Sequence, residues 1–298
     1  MSENHALRGV ICTLLGGIGW GFSGACGQFL LQHAEIPTAQ ITLIRMFFAG
    51  IILILFNLCR KKKAAFTILK NKKNIIFIFL FALFGLITSQ FTYLMAISYS
   101  NAGTATVLQY LGPVFIMIFV CITSRRLPTL SEAIAVILAF SGVALLATHG
   151  DFTKLQLSEE CLFWGILSAV GLMMYSIIPK KLIKEWGAVT VSGYGMLAGG
   201  IIMFFFVRPW TVKIDIDLYS FAALCGMVII GTVFAYTMYL QGVNDIKEVK
   251  ASMIACIEPV SAAVFSFLWF KTAFLPVDIV GFVLILSTVF ILNIPKKS

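Results

Sequence analysis

Residues 93–114 read YLMAISYSNAGTATVLQYLGPV, and residues 239–260 read YLQGVNDIKEVKASMIACIEPV. Tyr-Leu opens each stretch and Pro-Val closes it, and the two stretches lie 146 positions apart. The same ungapped offset pairs Gly85 with Gly231, Ala105 with Ala251, Phe119 with Phe265, Glu132 with Asp278 and Ser141 with Ser287. Nearer the amino end, Ala49-Gly50 matches Ala198-Gly199 at an offset of 149, which places a three-residue length difference in an intervening loop. Recurrence of this kind marks a tandem duplication.

Both stretches are embedded in apolar sequence. Of 298 residues, 60% are hydrophobic and 12% charged, with a mean hydropathy of +0.98. Soluble domains carry about 25% charged residues, so a soluble globular fold, disorder, a coiled coil and a disulfide scaffold are all excluded. A helix needs about 20 apolar residues to cross the roughly 30 Å hydrocarbon core of a bilayer. Ten blocks meet that need: Gly9–Leu31, Thr38–Leu58, Ile75–Tyr99, Ala102–Thr123, Leu130–Thr148, Cys161–Ile178, Ala188–Val207, Tyr219–Val243, Val249–Phe270 and Pro276–Ile294. The remainder leaves no room for a folded soluble domain of even about 50 residues, so no nucleotide-binding domain is expected. The expected fold class is an all-α polytopic membrane protein with ten transmembrane helices. Five spans per copy is an odd number, so the second copy crosses the membrane in the opposite sense. Inverted repeats of this kind, residues 9–147 and 161–294, are a hallmark of secondary transporters, whose halves exchange conformations around a central site.

The net charge of +9 sorts by position. With a cytoplasmic amino terminus, the inner side holds seventeen positive charges: Arg8, the Arg60–Lys63 cluster, Lys70, Lys72, Lys73, Arg125, Arg126, Lys180, Lys181, Lys184, Lys247, Lys250, Lys296 and Lys297. Four, Lys154, Arg208, Lys213 and Lys271, fall outside, and Arg45 is the one left, deep within a span. This bias predicts both termini in the cytoplasm of a plasma membrane, the bacterial cytoplasmic membrane. The basic surplus is a topology signal, with contact between Arg60–Lys63 and anionic lipid as a secondary role. No nucleic-acid partner is expected, because short loops offer no groove for phosphates. Seven cysteines fall singly along the spans without Cys-x-x-Cys spacing, which gives neither a disulfide framework nor a zinc site. His5, His33 and His149 sit at span ends. The first apolar block is too long for a signal peptide and counts as a span.

Several short motifs fit this frame: Gly16-Gly17-Ile18-Gly19-Trp20-Gly21 in the first span, Arg45 followed by Ala49-Gly50 in the second, and Leu111-Gly112-Pro113-Val114 with Ile257-Glu258-Pro259-Val260. Together with the duplication they resemble the EamA family of the drug/metabolite transporter superfamily, over about residues 9–147 and 161–294. The resemblance implies a ten-helix exporter of small metabolites such as amino acids, driven by a gradient and not by ATP. It also implies a pathway lined by spans one, three, four, six, eight and nine. No cofactor is implied, and neither the substrate nor the oligomeric state is specified.

Charges inside hydrocarbon cost at least about 2.5–3.5 kcal/mol each and mark functional candidates. Glu258 is next to the middle of span nine, and Arg45 lies roughly 4.5 Å along the axis from the middle of span two. One reading has either residue bind a charged substrate group or carry a coupling proton or other ion, since burial favours the neutral carboxyl. The other makes each part of a buried structural ion pair. Pro113 and Pro259 each remove an amide donor and free a carbonyl four residues earlier, on Gln109 and Ala255, and so should kink spans four and nine at matching depth. Matching interruptions point to a midplane site, whereas a tolerated bend is the plain structural alternative.

Trp20, Gln90, Tyr93, Gln109, Tyr110, Tyr175, Tyr236 and Tyr239 are candidates to line the substrate cavity with Glu258, as rings with polar tips suit a mostly apolar pocket. Tyr99, Trp164, Trp186, Trp210 and Trp269 lie near span ends and read as interfacial anchors. Gly19 to Gly24 spells G-x-G-x-x-G, but no strand precedes it and no acidic residue follows at the required spacing. These glycines, like Gly195 with Gly199, are read as close helix contacts. H-E-x-x-H, G-x-S-x-G and Walker A sequences are absent. A membrane enzyme, a lipid flippase-like protein and a non-transporting scaffold stand as alternatives to the transporter: chemical turnover would mark the first, and absence of any flux the last.

Overall fold

The computed structural model describes residues 3–61, 67–211 and 216–293, all helix and connection with no strand among them. Lys62, Lys63, Lys213, Lys296 and Lys297 of the charge pattern lie outside the described residues. Among the described residues nine helices are long and apolar enough to cross a membrane. We label the helices α1 (His5–Gln32), α2 (Thr38–Cys59), α3 (Lys72–Ser98), α4 (Ala102–Thr123), α5 (Leu130–Thr148), α6 (Glu159–Ile177), α7 (Ala188–Val207), α8 (Leu218–Ile246) and α9 (Glu248–Ala255 continued by Ile257–Phe270). The tenth apolar block forms a shorter helix, α10 (Pro276–Leu292), whose 17 residues rise about 26 Å.

Polar side chains start several helices. Asn71, Asn101, Ser158 and Asp217 each accept a hydrogen bond from the backbone amide two or three residues on, at 2.8–3.1 Å, which satisfies a donor that a helix start leaves unpaired. Glu132 and Asp278, paired by the sequence offset, share one role. Each accepts from the amide three residues before it, Thr129 N at 2.8 Å and Leu275 N at 2.9 Å. Each also holds a cation or imidazole: Arg126 Nη1 lies 2.6 Å from Glu132 Oε2, and His149 bonds Asp278 across α5 and α10.

Helix packing is reciprocal. α1 lies against α8 and α6 against α3, while α2 packs on α7, α4 on α9 and α5 on α10. Exchanging α1–α5 with α6–α10 maps this set of pairs onto itself. The exchange holds at residue level. A Cβ added at Gly231 would meet Ser23 Cα at 3.0 Å, and one at Gly85 would meet Tyr175 Cα at 3.1 Å. Likewise Gly19 faces Ala235 and Gly171 faces Ser89. In each case the residues of α3 and α8 are 146 apart, and those of α1 and α6 are 152 apart. α3 and α8 also contain π-helical turns at matching places, Phe81–Ile87 and Gly226–Phe234. The sequence carries no sign of them. Thr88 and Thr232 support them by donating five residues back, to Leu83 O at 3.0 Å and Met227 O at 2.9 Å.

Candidate functional site

α4 breaks between Ala102–Gln109 and Gly112–Thr123, and α9 breaks at Cys256. The cause is chemical: Pro113 and Pro259 offer no amide to Gln109 and Ala255. The chain tightens locally, with Leu111 N donating to Leu108 O at 3.1 Å and Cys256 N to Met253 O at 3.3 Å. The freed Ala255 carbonyl finds another donor, the Tyr110 hydroxyl of α4 at 2.9 Å. That hydroxyl also lies 3.1 Å from Glu258 Oε2. Tyr110 has one proton and so serves one acceptor fully. Both contacts are filled together when the Glu258 carboxyl is protonated and donates to the Tyr110 oxygen. The charge of Glu258 is therefore tied to the helix break.

α1 completes this site through its glycines. An added Cβ at Gly21 would lie 2.7 Å from Ala262 N and 2.8 Å from Glu258 O, so only glycine lets α1 reach the break in α9. The approach brings Trp20 against Tyr239, with ring centroids 5.0 Å apart. Trp20, Tyr110, Tyr239 and Glu258 are only half-buried, although Trp20, Tyr110 and Glu258 sit mid-span. Arg45 is also half-buried, and its Nε donates to Thr232 Oγ1 at 3.1 Å in the π turn of α8. No ion pair joins Arg45 to Glu258 among the described residues. The pairs there are Arg8–Asp245, His33–Asp217, Arg126–Glu132 and His149–Asp278.

Other candidates lie beside this cluster. Tyr175 donates to the Tyr236 hydroxyl at 3.2 Å, and Tyr236 bonds Ser192 at 2.8 Å. Tyr93 bonds Thr106 at 2.8 Å. Tyr93 and Tyr236 are buried with their hydroxyls engaged, so in this conformation they brace helices. Gln109 Nε2 reaches Ser89 Oγ at 3.4 Å, while Gln90 Oε1 is buried without a hydrogen-bond partner among the described residues. Thr232, Ser192 and Gln28 take part without standing out in the sequence. Thr232 follows the repeated Gly231 directly, which was the available signal; Ser192 and Gln28 carried none.

A bundle of apolar helices with a half-open polar cluster at two matching mid-span breaks has the build of a membrane transporter. The chain belongs to the EamA-like transporter family, which matches residues 7–148 and 160–294. It is 35% identical over 290 residues to YicL, an uncharacterized inner membrane transporter of Salmonella typhimurium, covering 97% of this chain and 96% of that one. Similarity extends to the uncharacterized transporter YyaM of Bacillus subtilis, 20% identical over 240 residues that cover 76% of this chain and 77% of that one. A solved crystal structure superposes with a TM-score of 0.63 over 98% of each chain at 16% identity, a likeness of fold.

Proposed function

We propose that this chain is a secondary transporter of the bacterial cytoplasmic membrane that exports small metabolites, such as amino acids or related amphipathic compounds, by alternating access. Ten membrane helices form two inverted five-helix repeats, 9–147 and 161–294, with both termini cytoplasmic. The reciprocal helix pairing supports that arrangement, and the positive charges orient it. One observation carries the functional reading: Tyr110 joins Glu258 and the Pro259-freed carbonyl of Ala255 at the point where α4 and α9 are both broken. A carboxyl whose proton changes the hydrogen bonding of a helix break can couple ion binding to helix movement. Trp20, Tyr239 and Glu258 form the substrate site, Arg45 sets its field, and Glu258 carries the coupling proton.

The test has two arms. Untargeted metabolomics of cells lacking or overproducing the protein should show a reproducible change in export of one compound class. Flux of that class into reconstituted vesicles should then follow an imposed pH gradient, and Glu258→Gln should flatten its pH profile. An unchanged profile in a folded variant removes the proton role. Chemical conversion of the compound without flux removes the transporter reading.

A further inference from the structure

The two ends of the bundle are packed differently. At the end bearing Gln28, Ala102–Gln109 of α4 packs against Ile257–Phe270 of α9, and α1 packs against both and against Thr88–Ser98 of α3. At the other end, among the described residues, no comparable packing joins Gly112–Thr123 to Glu248–Ala255. There α3 and α6 also stand apart, leaving a groove of about 490 Å³ between Phe77, Leu80 and Phe84 on one side and Met174, Ile177 and Ile178 on the other. Exchange of the two halves carries each of these regions onto its counterpart at the opposite end. A molecule obeying the exchange fully would pack both ends alike, so this one is held in one of two states. In the orientation proposed above, the Gln28 end faces outward, and the site is shut on that side.

Gln28 is what joins the three helices there. It is 1% exposed. Its single amide oxygen accepts from Ala102 N at 2.9 Å, the first residue of α4, and from Ser266 Oγ of α9 at 3.1 Å. Its Nε2 donates to Gln32 Oε1 at 3.3 Å, within α1. Ala102 N is one of the amides that a helix start leaves without an intrahelical partner, so it can bond outward to a group that comes and goes. At the opposite end the positions related to Gln28 and Ser266 are Lys180 and Val120, both exposed. Among the described residues the amide junction therefore exists at one end only.

We infer that Gln28 is the latch of the outer gate, and that its bonds to Ala102 and Ser266 must break before the central site opens outward. The inference rests on the two-state transporter reading, but its test needs no substrate. In a background with the native cysteines replaced, a single Thr106→Cys lies buried behind the latch and reports opening by its reaction with a membrane-impermeant thiol reagent added outside intact cells. Gln28→Leu should raise that labelling rate by at least about tenfold, the population change expected from losing two net hydrogen bonds. Ser266→Ala removes one donor, is the milder change to the fold, and should raise the rate by a smaller factor. Folding of each variant is checked by its melting temperature in detergent. Unchanged labelling in folded Gln28→Leu and Ser266→Ala overturns the latch and leaves the flux result, and with it the transporter reading, standing. Labelling that rises only from the cytoplasmic side overturns the assignment of the latch to the outer gate.

Discussion

Tyr110 places one hydroxyl between two acceptors, and the one with fewer alternatives is a backbone carbonyl. Ala255 O has lost its helical donor to Pro259, so removing the hydroxyl leaves a buried carbonyl unpaired, a loss of about 1–3 kcal/mol. Tyr110→Phe should therefore lower the melting temperature in detergent. Pro259→Ala restores an amide at position 259, which can serve Ala255 directly. In that background Tyr110→Phe should destabilise far less, and a double-mutant cycle measures the difference. Simple additivity of the two changes would show that the Tyr110 contact with Ala255 is energetically idle. Glu258 and Pro259 stand out in the sequence because an intramembrane acid and a repeated proline are rare and costly, whereas Tyr110 is one of several rings with polar tips that the sequence does not rank. Tyr93 and Tyr236 looked equally suited to a cavity, but Thr106 and Ser192 take up their hydroxyls. Gln28 gave no signal because one of its partners is a backbone amide, which every residue except proline carries.

Helices were easier to read than single residues, since an apolar run long enough to cross a bilayer has few other uses. The ten blocks recover the ten long helices with ends within six residues, and miss the short helix Lys180–Trp186. The π turns escaped because shifting a hydrogen bond from four residues back to five leaves apolar content and length unchanged. Glycines of α1 showed a capacity for close approach without saying against what; the structure sets Gly16 and Gly19 against α8, Gly17 and Gly21 against α9, and Gly24 against Tyr93 of α3. Gly21→Ala should accordingly fail to fit, with an overpacking loss of about 1–3 kcal/mol seen in melting and a fall in flux. Retention of both would mean that α1 and α9 separate easily. The start of α8 offers a pH test outside the membrane. The Ser220 hydroxyl and amide hold the Asp217 carboxyl below its ordinary pKa, with His33 opposite. A carboxyl depressed on folding contributes stability above its unfolded pKa of about 4 and loses it as pH falls through the folded value. Asp217→Ala should thus lower the melting temperature at neutral pH, and the gap from the parent should close on acidification. A gap that stays constant with pH would assign the loss to packing.

At the scale of the molecule, the proposed topology takes the facing of each half from duplication and charge together. The reciprocal pairing of α1 with α8 and α6 with α3 makes the halves interchangeable in outline, so packing alone does not choose an orientation. In the proposed topology the charges break that degeneracy, because Lys and Arg near span ends are retained on the cytoplasmic side. Lys154, between α5 and α6, and Lys184, in the short helix Lys180–Trp186 before α7, are both exposed and fall on opposite sides in this topology. In a background without native cysteines, Lys154→Cys should react with an impermeant thiol reagent on intact cells. Lys184→Cys should react only after permeabilisation. Tags at the two termini should both be protected from external protease. The reverse pattern would turn the whole bundle over: the Gln28 end would face the cytoplasm, and the packed end of α1, α4 and α9 would close the inner rather than the outer route. Labelling of both cysteines from one side would exclude an odd number of crossings between them, and with it the inverted relation of the two repeats.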